Sequence, residues 1–386
     1  MKIATVETFV VKAPIKQVFA FSQGWVHQRA ATLVRITTDT GLQGWGEAFT
    51  QGLEPPEIAA AAIRHALAPA LIGQEALDTA VIWNQMYLMT RDYGRKGSVM
   101  SAISAIDIAL WDIAGKYYQK PVYQLLGGAY RASVKPYATG FYRLAGTGEA
   151  ERLAEEALKY KAAGFTAMKI KLGFGIKDDL CVMRAIRAAL GDSEVTLIVD
   201  TNHAYQLHEA HRLGEALAQY NLRWFEEPVV PEDINGYADL RKRLTVPIAG
   251  GENEHSAFGF NALFAARALD VAQPDIGSCG GFTAARDILA MAQANGVAVN
   301  PHVWGTAIAQ AAALQYIATI PPASHCINGS EPLFEYDLSD HPFRRHLTDR
   351  PIAVQADGRV AIPEEPGLGI CINMDTVKKY SVNSAD

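Results

Sequence analysis

The chain has 386 residues, 49% of them hydrophobic, enough for a large core and against a mostly disordered chain. Lysine plus arginine number 35 and aspartate plus glutamate 41, a net charge of −6. With no basic run, nucleic acid and anionic membranes are poor partners, and the length suits two domains or a barrel with a companion.

Ile3 to Val11 and Ala31 to Phe49 read as strands, with Thr38-Asp39-Thr40-Gly41 as the turn inside the second. The alternating N-terminus, with Lys2 and Glu7, lacks the apolar block of a signal peptide. Pro55 and Pro56 open a helix that runs through Ala59–Leu71 and closes at Gly73. Ala76 to Met89 and Ser98 to Tyr118 are further helices, the last with Ile103, Ile106, Leu110 and Ile113 on one face. Strands followed by helices predict an α+β unit, ended by Leu125-Leu126-Gly127-Gly128. Asp107 and Asp112 in the long helix read as packing or capping groups, because nothing nearby completes a site. No uncharged apolar run reaches the roughly 18 residues of a membrane helix. Cys181, Cys279, Cys326 and Cys371 lack CxxC spacing and read as buried free thiols in a reducing compartment. A cytoplasmic protein is the expectation.

From Val134 the texture changes, as short β-rich runs alternate with alanine-rich helical stretches. The runs are Val134–Gly140, Thr166–Leu172, Thr196–Asn202, Trp224–Pro228, Ile248–Glu252, Asp270–Asp275, Ala298–Trp304 and Leu333–Tyr336. Eight strands alternating with helices predict an α/β fold, a parallel (β/α)8 barrel. Near the end of each run after the first stands one ionisable residue: Lys171, Asp200, Glu226, Glu252, Asp275, His302 and Glu335. They recur about every 23–33 residues, the length of one βα unit, and always toward the strand's C-terminal end. In such a barrel that rim carries the chemistry.

Asp200, Glu226 and Glu252 are carboxylates on three successive strands, and converging carboxylates repel unless a cation sits among them. Magnesium suits such hard oxygen donors and leaves positions for substrate. Asn202 shares the face of Asp200, and Glu227 must point away from Glu226 and back the ligands. Gly250 and Gly251 allow close backbone approach before Glu252. Lys169 and Lys171 both face inward. A lysine beside another ammonium and a divalent cation should have a lowered pKa and serve as a base. Asp275 can hold His302 in one tautomer and raise its pKa, giving a second acid/base. Glu335 reads either as a donor to a substrate carboxylate, if protonated, or as a solvated or lysine-paired rim glutamate. Base, metal and base across a barrel mouth suit abstraction of a proton α to a carboxylate.

At these residues the chain resembles the enolase superfamily, mandelate racemase subgroup. The matching segments are Lys169-Ile170-Lys171, Asp200-Thr201-Asn202, Phe225-Glu226-Glu227-Pro228, Gly250-Gly251-Glu252, Gln273-Pro274-Asp275, Pro301-His302 and Glu335, with Ser104 to Asp112 in the long helix. The resemblance implies an N-terminal α+β capping domain (residues 1–128), a (β/α)7β TIM-like barrel (129–350) and a segment returning to the cap (351–386). It implies that Asp200, Glu226 and Glu252 bind magnesium, one per subunit, with Lys171 the base on one face and His302–Asp275 on the other. Phe225 to Glu232, Gly280-Gly281-Phe282 and His302 to Thr306 are similar to galactarolactone cycloisomerases.

The function expected is an acid-sugar dehydratase or a lactone-opening cycloisomerase acting on a small carboxylate. The alternatives are a racemase or epimerase of a 2-hydroxy acid, or a sugar-acid-binding scaffold without catalysis. A homo-oligomer, an octamer or dimer, is implied by resemblance. Specificity should come from a first loop, Pro14 to Arg29, in which Trp25, His27 and Arg29 face the substrate with Phe19 and Phe21 excluding water. Tyr137, His203 and Tyr205 near strand ends are further candidates.

Overall fold

The computed structural model describes residues 1–191, 193–323 and 329–382. The first unit is an antiparallel sheet of β1 (Ile3–Phe21), β2 (Gly24–Thr38) and β3 (Gln43–Ala48). The segment expected as a loop, Pro14 to Arg29, is instead the end of a long hairpin. Phe19 pairs with Val26, and the register shifts between Pro14 and Phe19. The local polar residues hid this pairing; alternation resumes only past the irregularity.

The helix Ser98–Tyr118 lies across this sheet and is buried continuously from Met100 to Gly115. Its length and mean hydropathy of 1.4 match a membrane span, but 89% of that stretch is buried inside the protein, which makes it a core helix. It approaches the sheet through glycines. A Cβ at Gly46 would lie 1.9 Å from the Ala105 carbonyl oxygen, and one at Gly44 2.1 Å from that of Ala109. Backbone oxygens cannot rotate aside. Gly46→Ala is therefore expected to cost more than the ~1–3 kcal/mol of ordinary overpacking. A melting temperature within about 2 °C of the wild type would refute this.

Strand β4 (Ser133–Val134) leads into eight parallel strands. They are β5 (Pro136–Thr139), β6 (Ala167–Lys171), β7 (Thr196–Asp200), β8 (Phe225–Glu226), β9 (Ile248–Gly250), β10 (Val271–Ala272), β11 (Ala298–Val299) and β12 (Phe334–Asp337). Each of the first seven is followed by a helix, the fourth by the short Ile234–Arg243. The sheet runs β11-β10-β9-β8-β7-β6-β5-β12. Between β11 and β12 the seam is held by side chains: Leu333 N donates to Asn300 Oδ1 at 2.7 Å and Val303 N to Glu335 Oε2 at 3.1 Å. Eight strands with seven intervening helices are the (β/α)7β pattern that the resemblance implies.

The cap is docked on the barrel by buried polar groups. Asp107 accepts from Thr283 N at 3.0 Å and Oγ1 at 2.5 Å, at the start of the helix Gly281–Ala294. Asp112 accepts from Trp45 N and Leu368 N, both at 2.9 Å. Both aspartates thus cap and pack, as read from the sequence. Toward the C-terminus β13 (Val360–Ala361) pairs with β4, and Val382 N donates to Val10 O at 2.9 Å. Cys279 is buried, but Cys181 and Cys371 are exposed free thiols, against the expectation of burial. Cys326 lies outside the described residues.

Candidate active site

The barrel interior is layered. Tyr137, Ala167, Ile198, Trp224, Ala249 and Leu333 form an apolar floor. One inward position higher, the residues become ionisable. Lys171 pairs in register with Asp200 and Asp200 with Glu226, so three neighbouring strands deliver their charged ends to one level. The outward residues Met168 and Ile170 pack into the main core beneath the helices. Period-two alternation therefore assembles both core and site.

Carboxylate oxygens of Asp200, Glu226 and Glu252 lie within 4.8 Å of one another, all buried. Glu226 accepts from Lys169 Nζ at 2.7 Å, Trp224 Nε1 at 2.9 Å and Gln273 Nε2 at 2.8 Å. Burial, with Asp200, Glu335 and Glu252 nearby, pushes its carboxyl up to about 7 against the pull of Lys169. Glu252 Oε2 has no hydrogen-bond partner. Glu227 turns away, as expected, to accept from Asn253 Nδ2 at 2.8 Å. Around this centre five carboxylates (Asp200, Glu226, Glu252, Asp275, Glu335) meet three cationic groups (Lys169, Lys171, His302), leaving two negative charges. Hard oxygen donors, an orphaned buried oxygen and that surplus fit a divalent cation such as magnesium.

Lys171 Nζ lies 2.5 Å from Asp200 Oδ2 and 3.0 Å from Asn202 Oδ1. Burial and Lys169 lower its pKa, but Asp200, Glu252 and Glu226 together raise it, and the net shift is upward. The expectation of a lowered value rested on Lys169 and a bound cation; the carboxylates around Nζ act in the opposite sense. His302 lies beyond β11, on the far side of the triad strands β7, β8 and β9. Its Nδ1 is 2.8 Å from Asp275 Oδ2, and its Nε2 faces Glu252 Oε2 at 3.4 Å. Burial opposes its charged form, but Glu252, Glu335 and Asp275 push its pKa up to about 10.

Glu335 takes the lysine-paired form of its two readings. It contacts Lys169 Nζ at 2.7 Å and accepts from Thr139 Oγ1 at 2.8 Å. Although burial favours its neutral form, Lys169, His302 and Lys171 hold it well below the usual carboxylate range. It is thus ionised and serves as partner to Lys169 rather than as a protonated donor.

A narrow cavity of about 20 Å³ opens above these groups. Lys171, Asn202, Glu252, His302 and Glu335 line it below, and Phe21, Gln51, Tyr142 and Trp304 form its roof. Of the expected specificity residues, Phe21 alone reaches it from the hairpin. Trp25 and His27 are exposed, because they stand on strand positions turned away from the mouth. Arg29 is buried, 3.1 Å from Asp337, with its guanidinium over Trp304 at 4.6 Å. Tyr137 belongs to the apolar floor, with its edge against Trp224. Tyr205 bonds Asp179, and half-buried His203 does not line the cavity.

Gln51 and Tyr142 escaped the sequence reading; neither sits on the strand-end period. Tyr142 OH accepts from Trp304 Nε1 at 3.0 Å. Tyr142→Phe strands that buried donor and is expected to cost about 1–3 kcal/mol, read as a fall in melting temperature; an unchanged value would show the bond contributes nothing. The hairpin tip is tied down by Ser22 Oγ to Thr201 O and Gln23 Nε2 to Asn202 O, both 2.8 Å.

Residues 3–127 match the family described as mandelate racemase / muconate lactonizing enzyme, N-terminal domain. Residues 152–376 match the family described as enolase C-terminal domain-like. The chain belongs to the mandelate racemase/muconate lactonizing enzyme family of the enolase superfamily. This family member is 40% identical over 380 residues to D-galactarolactone cycloisomerase of Agrobacterium fabrum, covering 98% of this chain and 99% of the relative. It is similar to the crystal structure of 3,6-anhydro-D-galactonate cycloisomerase from Zobellia galactanivorans, with TM-score 0.88 and 39% identity over 99% of this chain and 100% of that one. A racemase from Streptomyces coelicolor A3(2), solved with bound magnesium, has TM-score 0.87 and 30% identity over 98% and 100%. The chain is an enolase-superfamily enzyme of lyase or isomerase type.

Proposed function

We propose that this enzyme removes the proton α to the carboxylate of a sugar acid or its lactone and then expels the β-oxygen. From an open acid the departing group is water, as in a dehydratase. From a lactone whose ring oxygen is at the β position, the ring opens with no loss of atoms, as in a cycloisomerase. The observation that carries the reading is that Lys171 and the Asp275-bonded His302 line one cavity, with a buried carboxylate triad between their strands.

Asp200, Glu226 and Glu252 are the residues that would hold one magnesium per subunit. Magnesium, when bound, supplies a positive centre for the substrate carboxylate and for the negative charge that grows as the α-proton leaves. Lys171 or His302 takes that proton, giving an enediolate, and the other delivers a proton to the departing oxygen. Asp275 fixes the tautomer and orientation of His302. Lys169, paired with Glu226 and Glu335, holds positive charge under the reacting carboxylate. Phe21 and Trp304 exclude water. A division at about residues 128 and 350 into cap, barrel and return segment, and assembly into a homo-oligomer, belong to the same reading.

The test is a panel of aldonates, aldarates and their lactones with added magnesium in deuterated water. Keto-acid formation is the expected outcome. Exchange of the α-proton with no new product would replace this reading by epimerisation, for which the same two bases would suffice. Neither exchange nor product across the panel would refute a sugar-acid substrate.

A further inference from the structure

We propose that two cap residues, Glu47 and Phe49, position the His302 imidazole, so that the second base functions only while this cap segment is docked. The proposal rests on the reading above, in which His302 moves a proton.

Glu47 is buried on β3. It accepts from Thr306 N at 2.9 Å, Thr306 Oγ1 at 2.5 Å and Ala309 N at 3.1 Å. These donors open the helix Ala307–Thr319, four residues beyond His302. The intervening Gly305 leaves no room for a side chain, since a Cβ there would lie 2.6 Å from Glu47 Oε1. From the opposite direction Arg344 Nε donates to Gly305 O at 2.7 Å. The segment after His302 is thus clamped between cap and barrel. Phe49 braces the other side: its ring meets the imidazole edge-on at 5.5 Å and 88°. Its N–H donates to Gly277 O at 3.0 Å, and Gly277 N in turn donates to Asp275 Oδ1 at 2.7 Å. Both members of the His302–Asp275 pair therefore lean on this one cap segment, Glu47 to Phe49. Lys171 does not; its side-chain hydrogen bonds run to the barrel residues Asp200 and Asn202.

This asymmetry sets the test. The magnesium-loaded enzyme is compared with its Glu47→Ala and Phe49→Leu variants, with Asp112→Asn as a variant that loosens the cap where it meets the C-terminal segment at Leu368. Glu47→Gln, which keeps the size and one acceptor, stands in if Glu47→Ala does not fold. The probes are galactonate and talonate, aldonates that differ only at C2 and so offer the α-proton to opposite faces. Exchange of the epimer silenced by His302→Asn is expected to fall ~30-fold or more in Glu47→Ala, with the other epimer within ~3-fold. The far-downfield proton resonance of the imidazole Nδ1–H on Asp275 should be lost or shifted in Glu47→Ala and kept in Asp112→Asn. Equal losses for both epimers with that resonance unchanged would overturn the proposal and leave Glu47 a staple of the cap. If the wild type exchanges neither aldonate, the functional reading fails for them. The resonance alone then decides: its loss in Glu47→Ala supports positioning, and its retention refutes it.

Discussion

Lys171→Ala is expected to lose turnover by about 10³–10⁴-fold, the upper range for removing one positioned proton-transfer group. KM should change far less, because Lys171 Nζ is engaged with Asp200 and Asn202, away from the roof that encloses the rest of the substrate. The loss should not come through the metal. Removing Lys171 takes a cation away from the triad, so magnesium should bind more tightly, as calorimetry would show. Weaker magnesium binding together with lost turnover would mean that Lys171 is part of the metal site and not a base. The melting temperature should hold, since the vacated space lies at a cavity and not in the floor. Turnover within tenfold of the wild type would end the assignment.

Chelation of magnesium is the second large effect. It is expected to abolish turnover, with full recovery on readdition, because the growing negative charge would then face the buried triad unscreened. Magnesium should also stabilise the fold, since it binds the native centre and not the unfolded chain. At 100 times its dissociation constant the gain is about 2.7 kcal/mol. Glu252→Gln removes the carboxylate that carries the orphaned oxygen. Its magnesium affinity should fall by more than the ~10–100-fold typical of an outer partner, and the magnesium-dependent rise in melting temperature should disappear. A Glu252→Gln enzyme with wild-type affinity would assign the metal to other donors.

The barrel and its charged rim were legible because one physical period governs both. Strand alternation sends Lys169, Lys171, Asp200 and Glu226 inward, and unit length repeats that placement around the ring. The roof was not legible, because its contacts join distant segments. Arg29 reads as a rim cation until Asp337, some 308 residues away, takes its charge. Tyr137 reads as a rim residue until the register of β5 with β6, Thr139 against Lys169, sets it one inward position lower, beside Trp224. The ion pair of Lys171 with Asp200 was also hidden, since spacing does not encode an ångström-scale contact.

The closing strand has a consequence for how the enzyme is made. β12 supplies Glu335, the partner of Lys169, and completes the ring beside β5, yet it is the last of the eight strands to leave the ribosome. At 5–20 residues per second the roughly 195 residues from β5 to β12 take about 10–40 s to appear. Through that interval β5 presents an unpaired edge, and the buried lysine waits without one of its counterions. A chain released before Phe334 would carry the carboxylate triad and both bases, yet have neither a closed barrel nor a balanced charge beneath the reaction centre. Completion of synthesis therefore acts as a checkpoint, at which folding and catalytic competence arrive together.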